Sequence, residues 1–206
     1  MKNILYLIVF SLFISSCKKK EVVVELPISK YDIKVIELDT IITYPSYSWQ
    51  AKNYNIDLDI DGKNDVNFTV NHHSFTTDFG TFIGYSNIYF SGISSVDLDY
   101  SFAIYNDTLN TNLFEEGELI TPNSKWNTAP TIYFFRHEYV SSGLIINKLT
   151  NPFIHNYGFI AIRKIVDKDT YYGWAKVSVD PKSSLSIYEC AFNRVSNIPI
   201  RIGQKE

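Results

Sequence analysis

The chain has 206 residues, 45% of them hydrophobic and 16% aromatic, which is ample for one sizeable core and excludes a disordered chain. Its net charge of −3 supplies no positive field for nucleic acid or an anionic surface. Two cysteines, Cys17 and Cys190, exclude a disulfide framework.

The first segment reads as a targeting signal. Lys2 precedes an apolar run from Ile4 to Ile14, which is too short for a helix to span a bilayer and has the length of a signal-peptide core. It ends in Ile14-Ser15-Ser16-Cys17. Small residues directly before a cysteine resemble the lipobox of bacterial lipoproteins. The resemblance implies that residues 1–16 are removed and that Cys17 becomes an acylated first residue, a palmitate-type anchor. Each buried methylene of such chains contributes about 0.8 kcal/mol, so several chains hold a domain at a membrane. The competing reading is an ordinary secretory signal with an incidental cysteine. Residues 17–30, with three lysines after Cys17, read as the anchor and a solvated tether, and residues 31–206 as a single domain.

Asn55–Phe68, NIDLDIDGKNDVNF, concentrates carboxylates around a glycine. Calcium takes six to eight oxygens, and in an EF-hand loop these come from positions 1, 3, 5, 7 and 9, with glycine at 6 for the turn. Asp57, Asp59 and Asp61 fall on the first three, Gly62 on the glycine, Lys63 on the backbone carbonyl and Asp65 on the ninth. Phe68 stands where an EF-hand has its bidentate glutamate, and no helices flank the segment, so it is not an EF-hand proper. The form D-x-D-x-D-G-x-x-D resembles instead the calcium loops of integrin-type and related extracellular β repeats, in which the last aspartate closes the coordination sphere. Two plainer readings compete: Ile56, Leu58 and Ile60 face a core while the aspartates face water, or Asp-Gly is the turn of a hairpin between NIDLDI and DVNFTV. The hairpin is compatible with calcium. Clustered carboxylates repel one another and aspartate is depleted in strands, which favours a structural calcium ion.

The remainder alternates with period 2. In VDLDYSFAIY the residues Val96, Leu98, Tyr100, Phe102 and Ile104 share a face, and in GFIAIRKI the residues Phe159, Ala161, Arg163 and Ile165 oppose Ile160, Ile162 and Lys164. TFIGYSNIYF, TIYFFRHEYV, YYGWAKVSV, SLSIYECAFN and IPIRI have the same character, and turn signals such as SSG, VDKD and DPKSS separate them. About ten short strands predict an all-β fold, an antiparallel β-sandwich or jelly roll. Asn106–Pro130 breaks the pattern as a long polar segment containing Trp126. It reads as an irregular crossover, a hidden short strand or a ligand loop.

No catalytic motif stands out. His72 and His73 would point to opposite faces of a strand and cannot chelate one ion there. His137 lies between Arg136 and Glu138, and His155 lies in a loop. Glu115, Glu116 and Glu118 leave a glycosidase-like carboxylate pair open. Cys190 reads as a small buried core residue, and Trp174 as core rather than a sugar platform.

Tyr172-Gly173-Trp174, then Ala191-Phe192, then Pro199-Ile200 and Gly203, resemble the C-terminal pattern of a broad set of secreted and lipid-anchored envelope proteins of Bacteroidota. The aspartate-rich loop and the Gly158–Ile160 strand belong to the same pattern. The resemblance implies an all-β domain at the cell envelope, at the outer membrane, and transfers no catalytic residue. The expectation is therefore a lipid-anchored, calcium-stabilised β-sandwich that binds glycan or another envelope protein, or is structural, with no nucleic-acid partner. The alternative is an envelope polysaccharide hydrolase.

Overall fold

The computed structural model describes residues 30–46, 49–78, 83–96, 99–103, 113–127, 129, 131–142, 144–149, 157–180 and 184–206. Residues 1–29, with the signal segment and Cys17, lie outside this set, as do Leu98, Ile104 and His155. The chain order of strands begins β1 (Ile33–Thr43), β2 (Gln50–Ile56), β3 (Val66–Asp78), β4 (Ile83–Ser95) and β5 (Tyr100–Ala103). It continues through β6 (Leu119–Ile120), β7 (Trp126–Asn127), β8 (Thr131–Ser142) and β9 (Leu144–Leu149). It closes with β10 (Tyr157–Val166), β11 (Asp169–Asp180), β12 (Ser184–Asn193) and β13 (Ile200–Arg201).

Two antiparallel sheets face each other, one ordered β1-β12-β11-β10-β5-β7 and the other β2-β3-β4-β8-β9. Their inner faces supply the main core, with Phe68, Val70, Ile93 and Phe135 from the five-stranded sheet against Ile160, Ile162, Val177, Ile187 and Phe192 from the other. The predicted β-sandwich is therefore the fold.

The six-stranded sheet is covered on its other face as well. Phe159, Ala161, Tyr172, Trp174 and Ala191 point away from the sandwich into a second core, closed by Phe114, Ile120, Ile200 and Ile202. The alternation in GFIAIRKI thus divides β10 between two apolar layers rather than between core and water. The cap is held by the β6–β13 ribbon, whose register pairs Ile200 with Ile120, and by a bridge between Phe114 and Phe159. Within the long polar segment, residues 113–127 contain strands β6 and β7 and serve as this cap.

Packing in the second core depends on size matching across strands. Trp174 sits between Ala161 on β10 and Ala191 on β12, small neighbours that leave room for the indole. It is fully buried, and its Nε1 donates to the Gln204 carbonyl at 3.2 Å. Next to it, Gly173 admits Phe192: a Cβ there would lie 2.6 Å from the Ala191 carbonyl oxygen and 2.8 Å from Phe192 Cδ2.

One strand differs from expectation. VDLDYSFAIY does not run as one strand, because β4 extends to Ser95 and Val96 is 52% exposed at a bend. Here the chain crosses from one sheet to the other, and Val96 N–H donates to the Asp65 carbonyl at 2.9 Å. Alternation resumes only at Tyr100 and Phe102, which are buried in the main core. Strands β1 and β9, rich in isoleucine, were not distinguished in the sequence.

Candidate functional site

The hairpin of β2 and β3 ends where Ile56 pairs with Val66, so the loop between them is Asp57–Asp65, the nine residues of the motif. Ile56 and Leu58 are buried, but Ile60 is 59% exposed, so the competing reading in which all three face a core does not describe this loop. The reason is the backbone. Strand geometry stops at Ile56, and Ile60 and Gly62 both take left-handed conformations, with φ of 64° and 89°. A β-branched residue there is a genuine outlier, whereas glycine suits the turn.

Local hydrogen bonds fold the loop on its own carboxylates. Asp61 N–H donates to Asp57 Oδ1 at 3.1 Å and to Asp59 Oδ1 at 3.2 Å. Gly62 N–H donates to Asp57 Oδ2 at 2.7 Å, and Lys63 N–H to Asp61 Oδ1 at 2.8 Å. These turns gather Asp57, Asp59 and Asp61 so that one oxygen from each lies within 4.8 Å of the others, a cluster that could hold a metal ion. Asp57 and Asp59 are half-buried and Asp61 is exposed, so the cluster opens to solvent.

Asp65 is placed differently. It is 3% exposed, and its Oδ2 accepts the N–H of Leu58 at 2.7 Å and of Asp59 at 3.3 Å. It caps the loop from beneath and is not one of the three gathered carboxylates. Lys63 contributes its backbone to the turn.

Lys164 supplies a cation from the facing sheet. Its Nζ lies 2.7 Å from Asp59 Oδ2, 3.7 Å from Asp65 Oδ1 and 4.9 Å from the centroid of the Tyr100 ring. Burial works to lower the Lys164 pKa, but the hydrogen bond to Asp59 and the charges of Asp59, Asp65 and Asp61 outweigh it and hold it above the ordinary lysine value. Burial, reinforced by Asp65, pushes the Tyr100 phenol well above its usual range. Nothing in the sequence linked Lys164 to a loop more than a hundred residues away; only its place among the apolar residues of β10 marked it.

The other candidates fall outside this cluster. His72 is nearly buried, bridges the Pro45 carbonyl and Asn87 Oδ1 at 3.2 Å each, and stacks on Tyr89. His73 points to the opposite face, as strand geometry requires. Glu115, Glu116 and Glu118 lie in one turn packed against the C-terminal segment, with Gly117 N–H on the Ile202 carbonyl and Ile202 N–H on the Glu118 carbonyl. Trp126 is half-buried on the cap, donates to the Thr121 carbonyl and carries the Arg163 guanidinium 4.6 Å above its ring. Cys190 is fully buried, and burial pushes its thiol up, out of reactive range. The side chains of Arg136, His137 and Glu138 lie outside the described part of the structure.

A second feature occupies the outer face of the five-stranded sheet. Trp49, 69% exposed, stacks on His73 with centroids 4.7 Å apart. His73 meets the edge of Phe90 at 5.5 Å, and Phe90 meets Tyr133 at 5.5 Å. The sequence reading missed this row because its members come from four separate segments.

Compared with protein-family models, with curated proteins and with solved structures, the chain finds no match in any of the three.

Proposed function

We propose that this chain is a lipid-anchored binding module of a bacterial cell envelope, a β-sandwich whose β2–β3 hairpin is closed by a structural calcium ion. One observation carries the calcium reading: three carboxylates within 4.8 Å of one another, each turned by a backbone N–H of the loop. Oxygen ligands of this kind suit a hard cation, and an exposed aromatic row on the facing-out sheet supports a binding role.

The ion's contribution is modest. With about 1 mM free calcium and a dissociation constant near 0.1 mM, typical of extracellular modules, linkage gives ~1.4 kcal/mol. Melting the protein in calcium and in EDTA tests this. Calcium should raise Tm by roughly 3–6 °C, and Asp57→Asn should remove most of the difference. Identical melting in both buffers counts decisively against the ion.

The anchor rests on the sequence around Cys17 and is tested separately. Cys17→Ser should move the protein from the membrane fraction to the soluble fraction, and unchanged retention contradicts it.

A further inference from the structure

We propose that Arg163 and Tyr172, on the capped face of the six-stranded sheet, form a two-donor site for a ligand carboxylate. The proposal rests on the binding-module reading and names the chemistry of what the module takes.

Register assembles the site. Arg163 on β10 stands opposite Ser101 on β5 and Tyr172 on β11. Their strand neighbours Phe102 and Ile162 enter the main core, so Ser101 and Arg163 point to the capped side, where Tyr172 packs. Trp126 joins them from β7, with its ring centroid 4.6 Å from Arg163 Cζ and 6.1 Å from the Tyr172 ring.

The guanidinium is held in place and yet uncommitted. Its Nε donates to Ser101 Oγ at 3.0 Å, and the Trp126 face lies against its plane. The end-on pair, Nη1 and Nη2, remains. Among the described residues no carboxylate lies within ion-pair distance of Arg163, whereas Arg194 has Asp32 and Lys164 has Asp59. Burial draws the Arg163 pKa below its ordinary value, and only Tyr172 opposes the shift.

Tyr172 adds an independent sign. It is fully buried, and its hydroxyl has no hydrogen-bond partner. Buried polar groups are ordinarily paired, and a donor left unmet in the interior is costly. Arg163 and Trp126 are half-buried, so the site meets solvent at their outer edges while the hydroxyl is enclosed. The strand β7 is two residues long and ends its sheet, so the indole is the part that shifts to let a ligand oxygen reach the phenol.

The donor set selects the ligand. Two parallel N–H groups of a guanidinium match the two oxygens of a carboxylate in one plane, and a phenol hydroxyl donates to either oxygen. The charge is single, because the adjacent Lys164 faces the other side of the sheet and is committed to Asp59. One positive charge balances a carboxylate and leaves a phosphate monoester, at about −2, half uncompensated. An acidic sugar, an N-acylated amino acid or a simple organic acid would each supply the group, and the test separates them.

The test is a saturation-transfer NMR titration of the full-length protein in an uncharged detergent at neutral pH. The compounds are glucuronate, N-acetyl-alanine and propionate, their uncharged counterparts glucose, N-acetyl-alaninamide and propionamide, and inorganic phosphate. At least one acid should bind, and its uncharged counterpart and phosphate should not. Arg163→Met, which keeps the stem on Trp126, should weaken that binding about tenfold, and Tyr172→Phe, which deletes only the hydroxyl, about threefold. Tyr172→Phe should not lower the melting temperature, because the lost hydroxyl has no partner, so its effect on binding reads the site and not the fold. Acids bound equally well by Arg163→Met or by Tyr172→Phe overturn the site. Phosphate bound in preference to every acid overturns the ligand class. An uncharged counterpart bound as tightly as its acid, and equally by Arg163→Met, overturns the site and leaves the module standing. No binding by any compound overturns the inference, while the calcium melts and the membrane fractionation, which do not involve Arg163, judge the module separately.

Discussion

Lys164 and Asp59 join the two sheets: an ammonium on β10 lies 2.7 Å from a carboxylate in the loop that closes the β2–β3 hairpin. The side chains are only 17% and 21% exposed, so the contact is screened less than a surface pair. The loop therefore has two sources of neutralisation, this lysine at its inner edge and the proposed cation at its open side.

Replacing the lysine separates the two. Lys164→Met keeps the apolar stem over Tyr100 and removes the charge. In EDTA it should lose about 1–3 kcal/mol, the cost of a charged hydrogen bond with its carboxylate left behind. The increment from calcium should grow, because the ion then carries more of the neutralisation. Denaturant melts with and without calcium read both quantities. A variant whose calcium increment shrinks would show that Lys164 organises the site instead of sharing its charge.

The backbone of the same loop makes a paired prediction. Gly62 has φ 89° with nothing within 4 Å of a Cβ position, so Gly62→Ala is penalised by conformation alone, about 1–2 kcal/mol. Ile60 holds φ 64° with an isoleucine, and Ile60→Asn should gain roughly 0.5–1 kcal/mol, since asparagine tolerates that region. Opposite signs in urea melts are expected. A destabilised Ile60→Asn would mean that the exposed side chain makes contacts worth more than its strain.

Crowding rather than conformation governs Gly173. A methyl there would meet backbone oxygen at 2.6 Å, and backbone cannot move aside as a side chain can. Gly173→Ala should cost about 1–3 kcal/mol, and Trp174→Ala next to it about 3–5 kcal/mol through the cavity it leaves. Equilibrium unfolding ranks them. A neutral Gly173→Ala would show that β12 can draw back from β11 at Ala191 without loss.

At the start of β1, Asp32 accepts from Arg194 Nε at 2.9 Å and Nη2 at 2.7 Å. The hydrogen bond from Arg194 holds the carboxyl below its ordinary 3.8 despite partial desolvation. A depressed carboxylate contributes stability that is fully present above its unfolded value and is lost as pH falls through the folded one. Wild type and Asp32→Asn should therefore differ in Tm near neutrality and converge as pH falls through the lowered folded value. The effect is small because the pair is exposed, and a difference that persists in acid would assign it to something other than charge.

The sequence by itself determined the class of fold and the shape of the loop. Period-2 alternation, β-branched and aromatic enrichment and turn residues are local properties, and they specify strands wherever a face is buried. Asp57, Asp59, Asp61 and Gly62 are likewise close enough in the chain for their own backbone N–H groups to gather the carboxylates. Tertiary structure alone decided what those local pieces meet. It turned residues 113–127 of the long polar segment into the cap of a second core, because Phe159 and Trp174 needed cover on the far side of their sheet. It placed Lys164 beside Asp59, turned Asp65 inward and aligned Trp49, His73, Phe90 and Tyr133 into one row. Each of these depends on strand order and register, which arise from contacts between residues far apart in the chain and leave no periodic trace along it.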